Sequence, residues 1–141
     1  MIKDKNAELL CHLLNEAYPG KWVDEQTVLQ GRKFRFDACN YSDKILIEID
    51  GGIYPFWTTL KNGQKVKASA GGHSSAAGIQ RDMEKTNAAQ VEGWKVLRYT
   101  PETLRKAPHK IMKDLWLLIG QPKGKLNTAQ LELTCMVQQR L

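Results

Sequence analysis

The heptapeptide KILIEID, residues 44–50, constrains the fold more than any other segment. Side chains alternate faces along an extended chain, so Ile45, Ile47 and Ile49 share one face while Glu48 and Asp50 share the other. A strand this apolar needs paired neighbours and a covering layer, and the Asp50-Gly51-Gly52 sequence ends it in a turn. The chain is therefore built around a sheet.

Before that strand, FRFDACNY reads as a second strand joined to it by a Ser-Asp turn, and Trp22 to Leu29 reads as a third, set off by QGRK. Ahead of the three-stranded meander, Leu9, Leu10, Leu13 and Leu14 recur at helical spacing from Asp4 to Ala17, with Asp4 or Asn6 as N-cap and YPG as the stop. Gly51 to Gly72, with Pro55, Asn62-Gly63 and several lysines, predicts a long loop or hairpin, a length usually tied to function. Ser74 or Ser75 caps a second helix running to about Glu92 and stopped by Gly93. WKVLRYT follows as a fourth strand reached by a crossover, then a helical turn at Pro101 and a helix over Lys106 to Ile119. The expected class is α/β: helix, three-stranded meander, helix, strand and C-terminal helices. Residues 1–120 form the expected domain, and 121–141 a linker with an amphipathic tail helix.

With 141 residues, 42% hydrophobic and 26% charged, the composition is that of one globular domain. The net charge of +6 favours an anionic partner. No run approaches the length of a membrane span and the N-terminus lacks the apolar stretch of a signal peptide, so a cytoplasmic protein with no membrane partner is expected. Cys11, Cys39 and Cys135, odd in number and widely spaced, read as reduced thiols.

The chemistry gathers at the end of the central strand. Phe34 and Phe36 point one way on the preceding strand and Arg35 and Asp37 the other, which sets Asp37 across the hairpin from Glu48. Asp37, Glu48 and Asp50 are then expected to converge. Singly, each is more often a solvated residue on a polar face. Together they repel unless a cation neutralises them, and a hard divalent ion, Mg2+ or Mn2+, is the economical choice.

Asp37 followed after ten residues by Glu48-Ile49-Asp50 resembles the signature of the PD-(D/E)xK nuclease superfamily. GRKFRFDACNYSDKILIEIDGG and GGHSSAAGIQRDMEKTNAAQVEGWKVLRYT are similar to small phage and prophage endonuclease-like proteins related to the very-short-patch repair group. The likeness spans about Glu8 to Thr100. It implies a restriction-endonuclease-like core and a magnesium-dependent endodeoxyribonuclease. It makes Asp37 and Glu48 metal ligands, with the Ile49 carbonyl a third and Glu8 on the first helix an additional acidic one. The pattern usually has lysine at the third place, where this chain has Asp50, which would orient water or hold a second ion. Two residues stand in for the lost cation. His73, beside the second helix's start, would shuttle a proton. Lys85 matches a basic position of the family's helix, although Ile79, Met83 and Val91 predict an apolar stripe nearly opposite it and leave it solvated.

Arg32, Lys33 and Arg35, and Lys61, Lys65 and Lys67 in the long loop, are placed to contact DNA phosphates, although such charges are commonly just a solvated face. A homodimer is compatible with this reading. Two alternatives stay open: a DNA-binding module of the same fold without catalysis, and a junction resolvase or nickase.

Overall fold

The computed structural model describes residues 4–51, 55–69 and 76–124. Helix α1 spans Lys5–Ala17, and Asp4 is its N-cap, its carboxylate accepting the Asn6 N–H at 2.8 Å. Ala7, Leu10, Cys11, Leu14 and Ala17 are its buried side, whereas Leu9 is exposed. Strands β1 (Val23–Thr27), β2 (Arg35–Asn40) and β3 (Ile45–Ile49) form the expected antiparallel meander. The β2–β3 turn is organised by the fully buried Asn40, whose Oδ1 accepts the Asp43 N–H at 3.0 Å and the Ser42 hydroxyl at 2.9 Å.

The segment after β3 contains a hairpin, β4 (Pro55–Thr59) and β5 (Lys65–Ser69), which is a separate two-stranded sheet. Its Asn62-Gly63 turn closes through Gly63 at φ +85°. Helix α2 (Ala76–Val91) then carries the chain to β6 (Lys95–Tyr99), which pairs in parallel with β3, Glu48 opposite Arg98. The helix stops at Gly93, φ +89°. Thr100 caps the short α3 (Pro101–Lys106), and Pro108 opens α4 (Pro108–Ile119), so the predicted helix from Lys106 is interrupted at Ala107.

Among the described residues this is a mixed α/β chain with sheet order β1-β2-β3-β6. One face of the sheet packs Ala38, Ile45 and Ile47 against α1, α3 and α4 through Leu10, Leu14, Leu104, Ile111 and Leu115. Leu29, Phe36, Cys39 and Leu46 meet Ala89 of α2 and Trp94 in a second, smaller cluster. Ile45, Ile47 and Ile49 do share a face. The first part of the predicted linker is docked: the Gly124 N–H donates to the Ala17 carbonyl at 2.9 Å, and a Cβ at Gly124 would run into the Glu16 carbonyl oxygen. The tail from residue 125 lies outside the described residues. Among the described residues no helix is long and apolar enough to cross a membrane.

Candidate active site

The β2–β3 ladder ends with Ala38 opposite Ile47, and side chains take over where it stops. The Asp37 N–H donates to Glu48 Oε1 at 3.0 Å, and the Ile49 N–H donates to Asp37 Oδ2 at 2.7 Å. Each carboxylate thus satisfies a backbone donor of the opposite strand, which fixes both carboxylates to the sheet itself. The β1–β2 pairing skips one position here: Asp24 pairs with Ala38 and Gln26 with Phe36, while the intervening Glu25 has φ +48°. Ala38 packs in the first core and Phe36 in the second, so strict alternation breaks at Asp37. Local kinks of this kind re-aim a side chain at a sheet rim.

Lys85 completes the pair. Its Nζ lies 2.8 Å from Glu48 Oε2 and 4.5 Å from the centre of the Phe36 ring, and it also donates to the Arg35 carbonyl. This reverses the expected orientation of α2. Ile79, Met83 and Val91, the predicted apolar stripe, are 44%, 61% and 87% exposed, and the helix instead turns Gly78, Ala89 and Lys85 inward. An ion pair this well buried, with a ring face beneath the ammonium, outweighs a three-residue stripe.

Asp50 lies close enough for its charge to raise Glu48, but it is paired elsewhere. Both its oxygens are held by Arg98 at 2.7 Å, Nε to Oδ2 and Nη2 to Oδ1, so the expected convergence of three carboxylates is corrected to a pair, Asp37 and Glu48. Nor is a metal required to neutralise three acids, since Lys85 and Arg98 already neutralise two. Among the described residues no group of three or more His, Cys, Asp or Glu side chains stands close enough to hold a metal ion.

Asp37 is the carboxylate of the three without a cation in contact among the described residues. Burial, and then the charge of Glu48, push it up to about 7, against the Ile49 N–H and Lys85, which pull it down. Glu48 is also raised by burial, with Lys85 opposing. The Arg98 guanidinium is held above its ordinary value by its hydrogen bonds to Asp50.

The remaining expected residues fall differently. Glu8 is exposed on α1, and the acid from that end of the chain whose charge reaches Asp37 is Asp4. Ile49 contributes its N–H to Asp37 and its side chain to the first core. His73 lies outside the described residues. Arg32 and Lys33 are exposed, Arg32 lying over the Phe34 ring, and Arg35 reaches to 3.9 Å from the Glu25 carboxylate. Lys61 and Lys65 are exposed on the hairpin; Lys67 is on β5, its side chain outside the described set.

Arg98 is the site residue that sequence reasoning misses. Its signal is a charged residue inside the otherwise apolar run VLRY, which parallel pairing with β3 sets beside Glu48.

Comparison of the chain with protein-family models, curated proteins and solved structures finds no match.

Proposed function

We propose that the chain is a metal-dependent endodeoxyribonuclease of the PD-(D/E)xK type, with a restriction-endonuclease-like core and DNA as its partner in the cytoplasm. One observation supports it above the others: the Lys85 amine, supplied by α2, stands 2.8 Å from Glu48 beside Asp37. Two carboxylates and an ammonium then meet at one sheet end, and the cation missing from the strand motif at Asp50 is replaced from the helix.

The donor set fits magnesium or manganese, which commonly take one or two carboxylates and fill the rest of their shell with water and phosphate oxygens. Asp37 Oδ1 accepts no hydrogen bond among the described residues, so Asp37 and Glu48 would hold the ion. Bound there, it would polarise the scissile phosphate and lower the pKa of a coordinated water. Lys85 would hold Glu48 in place and present an N–H to charge developing on phosphate oxygen. Hydrolysis joins the water oxygen to phosphorus and breaks one P–O ester bond, the leaving oxygen taking up a proton. Arg98 occupies Asp50, which removes Asp50 from the chemistry.

One observation favours the catalytically silent DNA-binding module instead: Glu48 and Asp50 each have a protein cation and can persist without metal. Incubation with plasmid, linear duplex, single-stranded and branched DNA in magnesium or manganese separates the two readings. Cutting of at least one form is expected, and the form cut distinguishes a nickase or resolvase. Binding without any cutting would leave the module.

Calorimetric titration with manganese should show binding in the wild type and more than roughly tenfold weaker binding in Glu48→Gln, since one of two anionic ligands is gone. Equal affinity would remove Glu48 from the site. Duplex affinity should also fall steeply with salt and vary little with sequence. Reversing charge at Lys61, Lys65 and Lys67 should reduce the slope of log affinity against log salt by about 1 for each phosphate no longer neutralised. An unchanged slope would move the DNA surface elsewhere.

A further inference from the structure

The two ion pairs at the end of β3 do different work. Arg98 sits beside Glu48 in the β3–β6 ladder, and its guanidinium spans from β3 to α2. Nε and Nη2 hold Asp50 at 2.7 Å, while Nη1 donates to Thr86 Oγ1 at 2.6 Å and more weakly to the Asp82 carbonyl at 3.4 Å. Asp82 Oδ2 lies 3.6 Å from Nη2. A guanidinium has five N–H donors and no acceptor, and these partners engage all of its nitrogens. Arg98 therefore turns no idle edge toward a phosphate. It links the end of β3 to the residue that follows Lys85 in α2.

The helix needs such a link. Its buried residues are Gly78 and Ala89, which give it little apolar grip on the sheet. Next to the clamp, Ile79 and Met83 line an open surface cleft of about 490 Å3 with Asp50 and Thr86 and stay exposed, so they add little packing that would wedge the helix in place. A rigid, bidentate polar contact is what sets register where apolar packing is sparse.

We propose that Arg98 is a positioning residue: by tying Asp50 to Thr86 and Asp82 across β3 and α2, it sets where the Lys85 amine falls against Glu48. Its effect on cleavage rests on the nuclease reading, but its effect on the position of Lys85 does not.

The test is acylation of the full chain with an amine-reactive ester, Lys85 being quantified by peptide mass spectrometry. Arg98→Lys keeps a charge for Asp50 and loses the fork. Thr86→Val removes only the hydroxyl that anchors the fork to the helix, and Thr86→Ser restores it. In the wild type Lys85 should react far more slowly than the exposed Lys61 and Lys65. In Arg98→Lys and Thr86→Val its rate should rise roughly tenfold, the scale set by removing one charge-assisted hydrogen bond, and Thr86→Ser should return it to the wild-type rate. Amide hydrogen exchange of α4, packed on the opposite side of the sheet, should stay as slow as in the wild type. For DNA cleavage, kcat should fall with KM little changed. Unaltered Lys85 protection in both variants would overturn the proposal, as would a parallel rise in exchange throughout α4, which would make Arg98 a general stabiliser. If Lys85 responds as expected while even the wild type cuts no DNA, the clamp stands and the nuclease reading falls.

Discussion

Asp37→Asn is expected to lower DNA cleavage by roughly a thousandfold or more, because loss of a charged metal ligand removes several kcal/mol of transition-state stabilisation. The fold should survive. Asparagine keeps the shape of the side chain and an oxygen to accept the Ile49 N–H. Stability without metal should rise above neutral pH, since the folded protein carries Asp37 at about 7 against an ordinary 3.8. A carboxyl raised on folding favours its protonated form in the folded state. Its contribution is fully present below pH 3.8 and is lost as the pH climbs to about 7, beyond which the penalty is constant. That penalty is on the order of 3 kcal/mol once solvent screening is allowed for. Thermal denaturation of both proteins from about pH 4 to 8 checks it: the wild type should decline across this range by more than Asp37→Asn. Parallel curves would place the titration elsewhere, and undiminished cleavage would exclude Asp37 from catalysis.

Lys85→Met should be costly in both respects. Glu48 is only 8% exposed, and without Lys85 it is left with the Asp37 N–H at 3.0 Å. Removing one member of a buried ion pair strands the other, typically at a cost of about 3 kcal/mol or more at neutral pH. The loss should shrink in acid, where Glu48 takes up a proton. Cleavage should fall by about a hundredfold or more, the usual cost of deleting one donor to transition-state charge. Lys85→Arg would not restore either property fully, because a planar fork cannot occupy the space of a compact ammonium over Phe36. Full activity in Lys85→Met would return this lysine to the role of a structural counter-ion.

The order of helices and strands is legible in the sequence because it rests on local signals: Asp4 as a cap, the Asn62-Gly63 turn, Gly93 as a stop, and the run of isoleucines in β3. The pairing of Asp37 with Glu48 is legible too, since the short β2–β3 hairpin fixes which positions face each other, even though the alternation along β2 breaks at Asp37. What the sequence hides depends on distant partners. Ile79, Met83 and Val91 predict one orientation of α2, but the sheet offers that helix a carboxylate and an aromatic ring, and lysine answers both. Asp50 groups with its neighbours on spacing alone, because nothing in the pattern hints that an arginine of β6 takes both its oxygens. Charges buried on a sheet choose partners by tertiary proximity, and sequence spacing does not encode that.

The parallel pairing of β3 with β6 bears on how the protein comes to be folded. Asp37 meets Glu48 across 11 positions, whereas Arg98 meets Asp50 across 48. Loop closure over the longer distance costs about 1 kcal/mol more, so the meander has a head start over the crossover. During translation the interval is longer still. At about 5–20 residues per second, the ribosome takes roughly 2–10 s to proceed from Asp50 to Arg98. For that time the nascent meander carries Asp50 without the arginine that holds it in the folded chain. Arrival of α2 and then β6 supplies the cations of Glu48 and Asp50, and pairing of β6 covers the open edge of β3, so maturation of the site and closure of the sheet coincide.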